Sequence, residues 1–199
     1  MEEDSKYPRR RSKEAHQAIL AATLDLVQEN GYFGLSLEAV AARAGVGKQT
    51  IYRWWSSKAM VVLEAYALAV AEQIPMPDTG AVEEDLFRLL DSIFTRIATS
   101  GSGKALAGLI AEAQADPNFA EAFRSGFIES RREGVRGILR KGIERGELNA
   151  EIDLEVAVDA LFGPMWYRLL MQHAPLDASF ARQLVRQLIA GIATGQGRK

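Results

Sequence analysis

Ser36-Leu37-Glu38-Ala39-Val40-Ala41-Ala42-Arg43-Ala44-Gly45-Val46-Gly47-Lys48-Gln49-Thr50-Ile51-Tyr52-Arg53-Trp54-Trp55-Ser56-Ser57-Lys58 carries the pattern on which the fold turns. Ser36 is an N-cap residue ahead of Leu37, Val40, Ala41 and Ala44, which fall at i, i+3, i+4 and i+7 on one stripe of a very short helix. Gly45 supplies the positive φ of a tight turn, and Val46 plugs the angle behind it. A second short helix follows over Lys48–Trp54, with Gly47 near its N-cap. Ile51 and Trp55, four apart, face inward and leave Lys48, Gln49, Thr50, Tyr52 and Arg53 outward. Two short helices joined by a Gly-containing turn make a helix-turn-helix. The small Ala41 and Ala44 let the helices cross closely. The second helix then presents its N-terminal residues to a major groove, and its positive dipole end favours phosphate.

The outward side chains have the chemistry for that task. Lys48 donates to guanine O6/N7 and Gln49 pairs with adenine N6/N7. Thr50 and Tyr52 are neutral phosphate donors, which set register without reading sequence. The competing account is the polar face of an ordinary surface helix.

The run Leu35 to Val46, followed by Thr50-Ile51-Tyr52-Arg53-Trp54-Trp55 and Lys58, resembles the DNA-binding domain of the tetracycline-repressor (TetR) family over residues 12 to about 62. The resemblance implies that Ser36 and Leu37 open the first helix of the pair beside the DNA backbone. It implies that Lys48 and Gln49 read base edges, that Thr50 and Tyr52 touch phosphate, that Arg53 faces the groove and that Lys58 anchors a phosphate. With Gly47 and Trp54 these form the expected DNA-binding set. Trp55 stands where the family usually has Phe and is expected to fill core. Glu38 stands where some members place a basic contact, so no base contact is assigned to it.

Bulk properties agree with this placement. The chain has 199 residues, 48% of them apolar, enough for one large or two small domains with real cores. It has no Cys and two His, His16 and His173, so disulfides, thiolate sites and a metal centre are not expected. Residues 6–58 hold nine Lys/Arg and four acids, whereas 59–199 hold fifteen and nineteen. A basic head on an acidic body points to an anionic partner such as nucleic acid. The acidic start is not a secretory signal, and no stretch reaches the roughly 20 apolar residues of a membrane span. A cytoplasmic location is expected.

The rest of the chain is helix by pattern, so the fold class is all-α with about nine helices. Residues 1–11 are expected as a disordered basic arm, 12–58 as the helix-turn-helix domain and 59–199 as a helical effector-binding and dimerisation domain. A first helix runs from a Ser12 cap to about Asn30 and stops at Gly31. Ser56 is expected to cap a helix from Ala59 to about Gln73, and Pro75-Met76-Pro77-Asp78-Thr79-Gly80 breaks the chain. Apolar stripes then mark helices over 82–97, 106–113, 119–139, 156–169 and 180–192. Asp116-Pro117 opens the third of these, Asp153 caps the fourth, and Pro164 is expected to kink it. Phe162-Gly163-Pro164-Met165-Trp166-Tyr167-Arg168, and Gly146-Glu147-Leu148 followed by Asp153, are also similar to the family's ligand-binding domain.

By that resemblance the body holds a pocket for an apolar or aromatic small molecule. Its expected lining is Tyr66, Phe94, Leu109, Phe123, Phe127, Phe162, Met165, Trp166 and His173. Homodimerisation is expected through the last two helices, with Leu161, Met165, Arg168, Leu169, Leu184 and Leu188 at the interface. Rival chemistries fare poorly. Gly101-Ser102-Gly103-Lys104 lacks the earlier Gly and following Ser/Thr of a phosphate loop. No nucleophile elbow occurs, His173 has no carboxylate partner in sequence, and His16 sits among polar neighbours. Neither a catalytic constellation nor a cofactor is expected. The expected function is a ligand-released repressor binding a palindromic operator as a homodimer. The alternatives are an effector-independent DNA-binding module or a helical carrier or enzyme.

Overall fold

The computed structural model describes residues 6–71, 76–99 and 102–194, with side chains for 13–69, 76–99 and 102–194. Its elements are α1 (Lys6–Gly34), α2 (Leu37–Ala44), α3 (Lys48–Trp54), α4 (Lys58–Ala71), α5 (Val82–Thr99), α6 (Ser102–Ala115) and α7 (Pro117–Phe123). A π-helical turn (Arg124–Ile128), α8 (Glu129–Glu144), α9 (Leu154–Met171) and α10 (Ala178–Ile192) follow. With 117–144 counted as one helical run, the described residues hold the nine helices expected. An isolated bridge between Leu148 and Ala193 is the only β pairing among them. None of the described helices is long and apolar enough to cross a membrane.

Two compact units result. Met1–Ala71 and Lys104–Phe123 form one; Glu72–Gly103 and Arg124–Lys199 form the other. This differs from a division at 58/59, because α4, α7 and most of α6 fold with the helix-turn-helix. The join is visible at Tyr32. A Cβ on Gly108 of α6 would lie 2.4 Å from the Tyr32 Cβ, so only glycine allows this approach. The buried Tyr32 hydroxyl donates to Glu112 Oε2 at 2.9 Å. Burial and, after it, the Glu112 carboxylate hold that phenol well above its usual pKa.

In this first unit Ile19, Leu26, Val27, Val40, Ile51, Trp55, Val61 and Val62 make the core. The buried Thr23 hydroxyl donates to the Ile19 carbonyl at 2.8 Å, so its polar atom is satisfied. The expected arm and the expected α4 cap need correction, and the expected stop at Gly31 does not. Residues 6–11 are helical backbone of α1, not an irregular arm; Pro8 falls in the first turn, where backbone N–H groups have no helical partner to lose. Met1–Ser5 lie outside the described residues, as do the side chains of the Tyr7–Arg11 run and Ser12. Ser57, not Ser56, caps α4, its Oγ accepting from Met60 N at 3.3 Å. The break at the end of the first helix is Gly31, with φ 69° and ψ 174°.

The second unit buries Leu86, Leu90, Phe94, Val135, Leu139, Val158, Leu161, Ala181 and Val185 in one core shared by α5, α8, α9 and α10. Side-chain caps set the helix starts. Asp153 Oδ1 accepts from Glu155 N and Val156 N, and Asp177 Oδ1 accepts from Phe180 N at 2.8 Å. Glu147 reaches back to Val82 N at 2.8 Å and fixes the entry to α5. α9 runs unbroken through Pro164 from Leu154 to Met171.

Candidate functional site

Ser36 and Gly45 build the turn as expected. Ser36 Oγ accepts from Ala39 N at 3.2 Å. Gly45 sits at φ 67°, ψ 30°, its N–H closing onto Ala42 O at 3.3 Å. Gly47 is the extended N-cap of α3. Ile51 and Trp55 are buried beneath the helix, while Lys48, Gln49, Tyr52 and Arg53 are exposed and Thr50 and Trp54 half-buried. Tyr52 is 51% exposed, a large aromatic turned to solvent with its hydroxyl available as a donor. The sequence-expected reading face is therefore one contiguous surface.

Its charges are already engaged. Lys48 Nζ is paired with Glu38 Oε1 and lies 5.4 Å from the Tyr52 ring centroid. That hydrogen bond holds the Glu38 carboxyl below its ordinary pKa and raises that of Lys48. A base edge would have to share or displace this contact to use Lys48, so the acid given no base contact of its own acts on the expected base reader. Arg53 lies over the Trp54 ring at 5.2 Å. Arg43 is tied to Glu29 through two hydrogen bonds of 2.9 and 3.0 Å.

Two expected backbone contacts take a different form. Leu37 is only 7% exposed, so its side chain is core and what it presents is a first-turn N–H. Lys58 Nζ donates to the Tyr32 carbonyl at 3.1 Å and sits 4.5 Å over the Tyr32 ring. A phosphate would be a further acceptor for that three-donor ammonium.

Glu64 of α4 is a hub that periodicity did not reveal. Its Oε2 accepts from Trp55 Nε1 at 2.7 Å and its Oε1 lies 2.9 Å from His16 Nε2. His16 is half-buried and stacked on Trp55 at 5.0 Å, not exposed among polar groups. The signal available in sequence was a lone acid within the apolar run Met60–Ala67.

The expected pocket lining divides between the units. Tyr66, Leu109 and Phe123 are buried in the first. In the second, Phe94, Phe162 and Met165 belong to the continuous core, with Trp166 packed against it. Phe94 is further closed by a stacked Phe180 at 5.7 Å. His173 is exposed, 4.8 Å from the Tyr167 ring, on a groove of about 550 Å³ formed by Ile97, Arg168, Gln172 and Leu176 with their neighbours.

The expected dimer residues mostly pack within the second unit. Leu161, Met165 and Leu169 are buried within the unit, and Leu184 and Leu188 pack on the same core. Arg168 lies 3.4 Å over the Phe180 ring and donates to the Pro175 carbonyl at 2.7 Å. The reason is that α9 is apolar on both sides, and the stripe of Ala157, Val158, Leu161, Phe162, Met165 and Leu169 is the one turned inward. Its open side is Val156, Ala160, Gly163, Tyr167, Leu170 and Met171, with Val156 and Tyr167 each 62% exposed.

Comparison with known proteins matches both parts. Residues 19–65 fit the family model described as "Bacterial regulatory proteins, tetR family". Residues 76–188 fit "Tetracyclin repressor-like, C-terminal domain". The helix-turn-helix-type transcriptional regulator YdeS of Bacillus subtilis (strain 168) is 37% identical over 188 residues, 94% of each chain. The crystal structure of the TetR family transcription regulator SCO0332 superposes with a TM-score of 0.79 at 35% identity, over 89% of this chain and 98% of that one. The FadR regulator of Bacillus subtilis, solved with stearoyl-CoA, shares the fold at 21% identity and a TM-score of 0.66, over 88% of this chain and 98% of its own.

Proposed function

We infer that this chain, which belongs to the TetR family of helix-turn-helix transcriptional regulators, is a repressor that binds a palindromic operator as a homodimer and leaves it when a small molecule binds. The carrying observation is the α3 surface. Lys48, Gln49, Tyr52 and Arg53 stand exposed on one short helix whose other side, Ile51 and Trp55, is buried. Lys48 and Gln49, with Arg53, read base edges. Ser36, the Leu37 N–H, Gly47, Thr50, Tyr52, Trp54 and Lys58 lie along the phosphates.

Dimerisation is assigned to the open side of α9. A stripe of Val156, Tyr167, Leu170 and Met171 with the small Ala160 and Gly163 between them suits close packing of two symmetry-related helices, with α10 beside them. That pairing would set the two α3 copies about 34 Å apart, in successive major grooves.

Ligand control is supported by the way α6 and α7 fold with the DNA-reading helices. The Gly108–Tyr32 approach and the Glu112 hydrogen bond connect α6 to the residue that also holds Lys58. A ligand preferring a shifted α6 would displace Tyr32 and with it the start of α4. That a fold neighbour holds stearoyl-CoA supports a small-molecule effector, acting in the cytoplasm where the operator lies.

Footprinting on the DNA upstream of the gene tests this. Two protected half-sites centred about 10 base pairs or a multiple apart are expected. A single protected half-site, or uniform protection, would contradict it.

A further inference from the structure

The basic side chains of α8 are treated in two ways. On one side Arg132 is paired with Glu155 and Asp159, and Arg136 with Glu129, Glu133 and Glu155. Arg140 is paired with Glu133, and Lys141 with Asp78. Arg131 points elsewhere. Its Nη1 donates to the Phe127 carbonyl at 2.7 Å and to Ser130 Oγ at 3.1 Å, and its guanidinium lies 3.4 Å over the ring of the buried Phe127. Both acceptors are neutral.

The charged neighbour of Arg131 is another cation, Arg96 of α5. Burial first, and then the Arg96 charge, push its pKa down to about 10. Arg96 has contacts of its own, and its Nε is buried without an acceptor among the described residues. A partly desolvated cation beside a like charge, held among the described residues only by neutral groups, is an unfavourable arrangement that an anion would offset. The guanidinium fork matches the paired oxygens of a carboxylate or phosphate, and the Phe127 ring gives such a ligand an apolar surface next to its charge.

We propose that Arg131, with Arg96 beside it, is an anion-recognition point in the second unit, and that the effector is an amphiphile with a carboxylate or phosphate on an apolar body. This rests on the effector reading above and replaces a purely apolar ligand with a charged one. Arg131 then acts on the headgroup, and the contrast with Arg132 is functional: one arginine braces α8 against α9, the other is kept for a ligand.

Calorimetric titration of the full chain with decanoate, decyl phosphate and decanol tests it. At least one anion should bind tenfold or more tighter than decanol, and whichever does so identifies the headgroup. Arg131→Gln should erase that preference, Arg131→Lys should keep part of it, and Arg132→Gln should keep all of it. Decanol matching both anions, no binding of either anion, or a preference that survives Arg131→Gln would overturn the proposal. The wild-type comparison needs no variant to fold. Equal decanol binding that still releases DNA would leave the effector reading standing and remove only the anion.

Discussion

The α2–α3 pair and α9 use similar apolar and small residues, and they differ in how sharply each assigns its faces. In α3 the inward positions are Ile51 and Trp55 and the outward ones are Lys48, Gln49, Tyr52 and Arg53, so polarity divides core from reading surface. In α9 the inward stripe of Leu161, Met165 and Leu169 is matched by an open one of Val156, Tyr167, Leu170 and Met171. Polarity divides nothing there; only packing against α5, α8 and α10 decides which apolar face is spent inside the protomer. A helix with one apolar face has one place to go, whereas a helix with two needs a second partner.

The largest effect expected from this contrast lies under the reading helix. Trp55→Ala should cost about 3–5 kcal/mol of unfolding free energy, because it empties a buried site and takes the indole donor from Glu64 Oε2. Tyr52→Ala should change stability by no more than about 0.5 kcal/mol and still weaken DNA binding. Urea denaturation beside a DNA titration separates the two; equal stability losses would mean α3 has no free face.

On α9 the corresponding pair is Leu161 and Tyr167. Leu161→Ala should lower stability by about 2–5 kcal/mol. Tyr167→Glu should leave the fold intact and drive the chain toward monomer in sedimentation experiments. If Leu161→Ala shifts the association state and Tyr167→Glu does not, the two faces are exchanged.

A smaller effect is expected at the Lys48–Glu38 pair. Lys48→Ala should relax discrimination at one base position by about 1–3 kcal/mol. Glu38→Ala should tighten binding to all sequences, since it frees Lys48 without adding a base contact. Competition assays with single-base operator variants would show it, and a sequence-selective gain in the Glu38 variant would argue against that pairing.

The smallest effect belongs to the exposed network between α8 and α9. Hydrogen bonds from Arg136 and then Arg132 hold the Glu155 carboxyl down at about 2, below its ordinary 4.5. A carboxyl depressed in the folded state contributes stability above its unfolded pKa and loses it as pH falls toward the folded one. Glu155→Gln should therefore lower Tm slightly at pH 7, and the gap should close between about pH 4.5 and pH 2. A gap that stays constant with pH would show that the carboxylate charge contributes nothing.

The legibility of the molecule follows the same division. The helix-turn-helix was legible to the residue because capping, a positive-φ glycine and an apolar stripe act within ten residues of one another. Asp153 and Asp116–Pro117 were legible for the same local reason. The α4 cap was missed by one residue because Ser56 and Ser57 are equally good candidates, and geometry alone chooses Ser57. The packing of α6 beside Tyr32 was not legible: Gly108 looks like any glycine until the ring that crosses it is known. Nor was Arg131 separable from Arg132, since adjacent arginines on a helix differ only in what each turn faces.

The central claim is that two copies of this chain present α3 to one duplex. Titration onto the gene's own upstream DNA across a range of salt concentrations, with stoichiometry from sedimentation, tests it most directly. Two chains per site are predicted, with affinity falling steeply as salt rises and discrimination relaxed in Lys48→Ala. One chain per site, or binding indifferent to salt and sequence, would contradict it.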